Sequence, residues 1–299
     1  MMRFLYTEAV SKSRFWQGCC WNLIFALFLF ICVFGCQKKD KHLVRLRAIY
    51  DQPVFSEIYM QAAQDEEKFS HFKSNPLFKL LFENRCYEEG ISALSEIEAR
   101  LPAFAEKKDL FRENDRFGSP EVWEYGKWGA FSPTTLHYVA FAAKIKCNLG
   151  DVSNKHLLQI GAGYGGLCKI MHDAFSFSSY TIVDFAPQLQ LAQAYLKHFG
   201  INNVQLYTFD QLPSEISYDC VFSDGNFSEL CKEDQSRLIN RVFKQIDTGF
   251  FSGAMIPQHF GVSTLSVDGI VKALAKQKKS VSLTSLERGA YEFYWKTQF

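Results

Sequence analysis

The sequence lacks the marks of several protein classes. Its 33 basic and 32 acidic residues leave a net charge of +1, so no strong field indicates a nucleic-acid partner. Nine cysteines are present, but no CxxC or His-x-His spacing occurs, and we predict neither structural zinc nor another bound metal. Internal repeats and low-complexity tracts are also absent. Because several cysteines lie in apolar stretches, we expect free thiols and a reducing compartment.

The 299 residues, 47% of them apolar and 22% charged, are enough for one large globular domain and an additional region. Residues 37–135 have apolar positions at helical spacing, interrupted by prolines, and are predicted to form a helical cap region. Residues 136–299 alternate between strand-like and helix-like segments, which is typical of a doubly wound parallel sheet. Strands are predicted at 157–161, 179–184, 203–208, 218–223, 248–254, 280–286 and 290–296, and helices at 136–148, 165–175, 187–199, 229–246 and 265–277.

Residues 1–36 contain an almost entirely apolar segment from Cys19 to Cys36. Three interpretations stay open: a single-pass membrane anchor at the short end of bilayer-spanning length, a cleaved secretory or lipoprotein signal, and a start site chosen too far upstream. More basic residues follow the segment than precede it, and the positive-inside rule then places the downstream domain at the cytoplasmic face of the membrane. The signal interpretation would instead make the protein an exported lipoprotein.

The last two predicted strands are joined by only three residues, 287–289. So short a link cannot make a parallel crossover, so these strands must form an antiparallel hairpin. The predicted fold is therefore α/β, with a Rossmann-like, doubly wound, mixed seven-stranded sheet that ends in an antiparallel hairpin. This arrangement is known for S-adenosylmethionine-dependent methyltransferases, and it argues against a nicotinamide-dependent oxidoreductase.

A glycine-rich turn follows the first strand of this sheet and predicts a nucleotide-cofactor site. Glycine permits positive φ and close approach of a ligand to the backbone. Asp184 ends the second strand, where a carboxylate can accept hydrogen bonds from a ribose diol. The predicted cofactor-binding residues of the turn and of this strand end are Gly161, Ala162, Gly163, Tyr164, Gly165, Asp184 and Phe185.

Four blocks resemble the bacterial sugar O-methyltransferases in the same order. They are FSPTTLHY at 131–138, QIGAGYGGL at 159–167, YTIVD at 180–184 and NFSEL at 226–230. The resemblance covers about residues 115–299. It implies S-adenosylmethionine as cofactor and a sugar or glycoconjugate hydroxyl as methyl acceptor. It also implies that Asp210, with its neighbour Gln211, lies beside the adenine amine, although Asp210 could equally cap a turn.

Methyl transfer to a hydroxyl requires alignment of the acceptor and a base for its proton. Candidate bases must follow the fourth or fifth strand of the sheet. They are Asp224, which we rank first, then His259, and Glu229 in the next helix. Each has a structural alternative, as a turn former, a surface histidine or a first-turn helix acid. His137 and Tyr138 are predicted to open a helix or to contact the acceptor, and both interpretations stay open.

Two further functions compete with the methyltransferase hypothesis. One is an NAD-dependent oxidoreductase, since Gly161, Gly163 and Gly166 also fit the dinucleotide spacing. The other is a catalytically inactive Rossmann-like binding module.

Overall fold

The computed structural model describes residues 53–213, 217–254, 262–286 and 289–297. The apolar segment 19–36 and His259 lie outside these residues. Within the described residues, no helix is both long and apolar enough to cross a membrane.

Helices and short turns dominate the chain before residue 150. The helices are α1 Pro53–Gln64, α2 Glu66–His71, α3 Pro76–Leu81, α4 Tyr87–Arg100, α5 Lys108–Arg112 and α6 Pro133–Leu149. Two-residue strands, β1 Trp123–Glu124 and β2 Ala130–Phe131, form a small antiparallel ladder just before α6. Helix α6 begins with Ser132 as its N-cap, whose hydroxyl accepts from the Thr135 N–H, followed by Pro133 at the first helical position.

The remaining strands form one seven-stranded sheet. They are β3 His156–Ile160, β4 Ser179–Asp184, β5 Val204–Thr208, β6 Cys220–Asp224, β7 Thr248–Ala254, β8 Lys279–Ser285 and β9 Ala290–Thr297. Their spatial order is β5-β4-β3-β6-β7-β9-β8. All pairs up to β7 are parallel, whereas β9 is antiparallel to both β7 and β8. The predicted Rossmann-like mixed sheet with a terminal hairpin is confirmed.

Helices cover both faces of this sheet, as the parallel strand pairs require. They are α7 Gly166–Ala174, α8 Ala186–His198, α9 Asn226–Glu229, α10 Lys232–Arg237 and α11 Val267–Ala275. Strand β3 is buried on both sides, because Leu157 packs in one apolar cluster while Leu158 and Ile160 pack in the other. The single helix predicted at 229–246 is instead broken. Leu230 is extended after α9, and a π-helical turn and a 3-10 turn follow α10 up to Gln245.

A third apolar cluster, which we call the aromatic cluster, joins the helical region to the sheet. It contains Tyr59, Phe69, Phe72, Phe78, Tyr164, Leu191 and Tyr195. Most of its rings meet edge-on or tilted at centroid distances of about 5 to 6 Å, for example Tyr164 and Tyr195 at 5.0 Å. The glycine-rich turn that carries Tyr164 is therefore packed against the helices that precede the sheet. The limits 1–36, 37–135 and 136–299 of the predicted regions stay predictions.

Candidate active site at the switch point of the sheet

The centre of the sheet is the point where the strand order reverses. From β3 the chain adds β4 and β5 on one side, then returns to place β6 and β7 on the other. Ligands of open α/β sheets bind beyond the carboxyl ends of the strands at such a switch point. Gly161 follows β3 at this edge, and Asp224 ends the neighbouring strand β6.

The glycine-rich turn has the backbone that its sequence predicts. Gly161, Gly163 and Gly165 have φ values of +92°, +52° and +96°, in the region that favours glycine. A Cβ atom added at Gly161 would lie 2.2 Å from Cγ of Asn226, so the start of α9 packs directly on this glycine. The turn therefore needs glycine at 161 both for its φ value and for lack of space.

Asp184 lies under the turn, at the end of β4. Its side chain is completely buried and accepts hydrogen bonds from the backbone N–H groups of Ala162, at 2.7 Å, and of Phe185, at 2.8 Å. Burial raises the pKa of this carboxyl to about 7, although the N–H groups of Ala162, Phe185 and Gly163 act in the opposite direction. In this structure the carboxylate supports the turn. Its contact with a ribose stays a prediction.

Tyr164 was predicted to bind the cofactor, but its side chain points into the aromatic cluster. It is completely buried, and its ring lies 5.5 Å from that of Phe72 and 6.0 Å from that of Tyr138. Nζ of Lys73 lies 4.4 Å from the Tyr164 ring centroid, within the range of a cation–π contact. The side chain thus anchors the turn, and contact with a cofactor would have to use the backbone of Tyr164.

The other predicted cofactor residues lie at the same edge of the sheet. The ring of Phe185 packs 5.0 Å from that of Phe209. Asp210 is exposed and forms a 2.7 Å ion pair with Arg237, a surface contact of small energetic value. Oε1 of Gln211 accepts from the Thr208 hydroxyl at 2.9 Å and so closes the end of β5. Whether Asp210 and Gln211 contact an adenine stays a prediction.

Asp224, the first-ranked base, is paired with a histidine. Its Oδ2 lies 2.7 Å from Nε2 of His137, and its Oδ1 accepts from the Ser252 hydroxyl at 2.7 Å. Burial by itself would raise the pKa of Asp224, but the attraction and hydrogen bond of His137, together with Arg85 and Ser252, hold the pKa below its usual range. Asp224 is therefore a charged carboxylate that orients the imidazole.

His137 is half-buried on the first turns of α6. Burial lowers its pKa, and the nearby positive charge of Arg85 lowers it further, while Asp224 acts in the opposite direction. Nη2 of Arg85 lies 3.0 Å from Nε2 of His137. The imidazole is therefore neutral near pH 7, which is the state that can accept a proton. A single histidine in a helix gives no sequence signal for this pairing with a residue 87 positions away.

Glu229 is the third carboxylate of the region. It lies in the single helical turn α9, and burial raises its pKa to about 7, with the negative charges of Asp184 and Asp224 contributing. The structure thus brings Glu229 near both of the other predicted acids. The surroundings of the remaining candidate base, His259, are outside the described residues.

One face of α6 forms a wall of the site. Thr134, His137 and Tyr138 are spaced i, i+3 and i+4, so they lie on the same side of the helix. The hydroxyl of Tyr138 is 3.8 Å from the position that a Cβ atom on Gly163 would take. Arg85 reaches the same face from the segment between α3 and α4. No motif surrounds it, so only the fold reveals it.

Comparison with known proteins agrees with this geometry. Residues 158–249, which include β3 through the start of β7, match a family model described as "Methyltransferase domain". A segment of 129 residues is 25% identical to the "Probable fatty acid methyltransferase" of Pseudomonas putida, covering 42% of this chain and 30% of that protein's length. The chain thus spans less than a third of this curated relative.

Solved structures of methyltransferases are also similar. A geranyl diphosphate methyltransferase in complex with GPP and sinefungin aligns with a TM-score of 0.45 and 15% identity, over 56% of this chain and 81% of that one. An S-adenosylmethionine-dependent methyltransferase from Clostridium acetobutylicum aligns with a TM-score of 0.44 and 11% identity, over 53% and 89%. At these scores the fold assignment rests on the strand order itself.

The strand order is that of the Rossmann-like methyltransferase fold, and residues 158–249 match a methyltransferase family model. The predicted cofactor agrees with this assignment. The donor groups that could face a cofactor are the backbone of the glycine turn and the polar residues at the carboxyl ends of β4 and β5.

Proposed function

We propose that this protein transfers a methyl group from S-adenosylmethionine to a hydroxyl of a sugar or glycoconjugate. The observation that carries the proposal is the 2.7 Å pairing of His137 with Asp224, at the same sheet edge as the glycine turn. A hydroxyl is a poor nucleophile while protonated, and a neutral imidazole held by a carboxylate is a suitable base for it. The choice of a sugar is supported by the four sequence blocks.

The proposed reaction assigns separate tasks to the residues of the pair. When bound, S-adenosylmethionine supplies an electrophilic methyl group on a sulfonium. In the transfer to an acceptor hydroxyl, the imidazole of His137 would accept the proton that the hydroxyl loses. With Nε2–H donated to Asp224, the accepting nitrogen of the neutral ring is Nδ1. Asp224 balances the imidazolium charge, because the carboxylate is held in its ionised form by His137, Arg85 and Ser252.

The first test is transfer of labelled methyl groups from S-adenosylmethionine into cell extract by the purified protein. We expect the label as a methyl ether in the aqueous glycan fraction. Label in the lipid fraction would favour an acceptor such as that named for the Pseudomonas relative and would overturn the sugar assignment. Calorimetry with S-adenosylhomocysteine and with NAD tests the cofactor. Binding of NAD without binding of S-adenosylhomocysteine would favour the oxidoreductase.

The second test separates the base from the fold. His137→Gln and Asp224→Asn should each lower kcat by about 10²-fold or more, with the Kd for S-adenosylhomocysteine unchanged. His156→Gln is a matched control, because His156 is an exposed histidine at the opposite, amino end of β3, where it contacts Ser179. Unchanged turnover in both site variants would exclude the pair as the base and would leave His259 and Glu229 as the candidates.

We also propose that residues 19–36 attach the protein to the membrane with the methyltransferase domain on the cytoplasmic side. The support is the excess of basic residues after the segment and the cytosolic origin of S-adenosylmethionine. Protease digestion of intact and permeabilised cells tests this proposal. Digestion of the domain in intact cells would contradict it and favour the exported form.

A further inference from the structure

Glu83 carries a buried oxygen with no partner in the described part of the chain. It lies between α3 and α4, and its Oε1 is shielded from solvent and makes no hydrogen bond there. The Thr134 hydroxyl lies beside this carboxyl and acts to lower its pKa. Burial of an acceptor without a donor carries the full free-energy penalty of desolvation, so an unpaired oxygen in a folded protein requires an explanation.

The surroundings of Glu83 place it at the candidate site. The hydroxyl of Thr134 donates its one proton to the carbonyl oxygen of Phe82, at 3.2 Å, which holds the Glu83 segment against the first turn of α6. Two residues further along, Arg85 contacts His137 on the same helix face. Tyr138, one turn after Thr134, directs its hydroxyl towards Gly163. The segment therefore runs along the wall that joins the glycine turn to Asp224.

The simplest structural role for Glu83 would be an ion pair with the buried Lys73. Among the described residues no such pair forms within 4.0 Å, and Nζ of Lys73 instead donates to the carbonyl oxygen of Asn114 at 2.6 Å. The Lys73 ammonium also lies over the ring of Tyr164. Burial lowers the pKa of Lys73 and raises that of Glu83 to about 7, while the opposite charges of the two groups act against both shifts without a direct hydrogen bond. Lys73 does not satisfy the spare oxygen.

We propose that Glu83 binds the α-ammonium group of the methionine part of S-adenosylmethionine. A carboxylate oxygen without a donor is suited to a cationic N–H donor, and charge-assisted hydrogen bonds are the strong ones. The face of α6 that contacts the Glu83 segment through Thr134 also approaches the glycine turn through Tyr138. This inference rests on the proposed function, because it assigns one more contact to the same cofactor.

Calorimetry with two ligands tests the assignment. S-adenosylhomocysteine carries the amino-acid group, whereas 5′-methylthioadenosine shares the adenosine and sulfur but lacks that group. Glu83→Gln should weaken the binding of S-adenosylhomocysteine by about 10- to 100-fold, as expected for loss of a hydrogen bond to a charged group. The affinity for 5′-methylthioadenosine should be unchanged. Glu121→Gln is the control, since Glu121 is an exposed acid of the same region that pairs with Lys79.

The possible outcomes separate the two proposals. Equal changes for both ligands, or no change for either, would overturn the role of Glu83 while leaving the cofactor assignment intact. Failure of the unaltered protein to bind S-adenosylhomocysteine would overturn the proposed function and this inference with it. Circular dichroism melting of Glu83→Gln checks that the variant is folded, and the unchanged affinity for 5′-methylthioadenosine provides the same check at the site.

Discussion

Replacement of Gly161 by alanine should destabilise the protein through two separable effects. The residue has φ +92°, and an L residue in the left-handed region costs about 1–2 kcal/mol. The new Cβ would also lie 2.2 Å from Cγ and 2.4 Å from Cβ of Asn226. Because so short a contact forces a backbone or side-chain shift, we add about 1–3 kcal/mol for overpacking. The expected total is about 2–5 kcal/mol.

Gly150→Ala isolates the first effect. Gly150 follows α6 with φ +82°, and a Cβ atom there would meet nothing within 4 Å. It should therefore cost only about 1–2 kcal/mol. Both substitutions reduce the freedom of the unfolded chain equally, so the difference between them measures the clash. Asn226→Gly in combination with Gly161→Ala should recover that difference, because it removes the side chain that the new Cβ meets.

Urea denaturation of the four variants and the unaltered protein measures these free energies. The double-mutant cycle between Gly161→Ala and Asn226→Gly should give a favourable coupling of about 1–3 kcal/mol. If Gly161→Ala costs no more than Gly150→Ala, or if Asn226→Gly gives no relief, then α9 does not pack on the turn as described. The close contact between Asn226 and Gly161 would then be excluded.

Three further predictions concern buried charges. Folding raises the pKa of Glu83 from 4.5 to about 7, so the stabilising contribution of this residue is present below about pH 4.5 and lost as the pH rises through about 7. Glu83→Gln should therefore have the same melting temperature as the unaltered protein near pH 4. Near pH 8 the variant should melt at a higher temperature, because its free energy of unfolding is larger by up to about 3 kcal/mol. Lys144→Met should cost about 1–3 kcal/mol in urea denaturation, because Glu292, only 16% exposed, loses its partner at 2.5 Å. Asp115→Asn should cost about 1.5–3 kcal/mol in the same assay, because the carboxylate accepts from both the N–H and the hydroxyl of Ser132 at 2.7 Å. A pH-independent difference at Glu83, or no loss in either of the other variants, would contradict the respective argument.

The sheet could be predicted from the sequence because its signals are local. Apolar runs such as Leu157 to Ile160 are buried on both faces, and a three-residue link leaves only a hairpin for β8 and β9. The break after α9 could not be predicted in the same way. It depends on hydrogen bonds between distant residues, such as the Gln235 side-chain N–H to the carbonyl oxygen of Phe227 and the Phe227 N–H to the Ser223 hydroxyl.

The candidate site likewise has parts that local sequence signals predict and parts that depend on contacts between distant residues. The glycine turn, Asp184 and Asp224 were found from the sequence because each follows a strand at the edge where ligands bind. Periodicity assigns residues to faces and edges but gives no pairing between them. The contact of His137 with Asp224 and the position of Glu83 therefore emerged only from the fold. The same holds for Asp184, whose position at a strand end was predicted but whose hydrogen bonds to the glycine turn were not.

Helix α6 shows how so few residues could serve both parts of the proposed reaction. On one face, within five residues, Thr134 contacts the Glu83 segment, His137 contacts Asp224 and Tyr138 approaches Gly163. In-line displacement depends on holding the acceptor oxygen, the methyl carbon and the sulfur in register, and small misplacements cost large factors in rate. A single helix, capped by Ser132 and packed along its length, fixes the distance between the proposed base and the turn that would hold the cofactor. In the proposed reaction, the docking of the helical region onto α6 would therefore be part of the catalytic geometry.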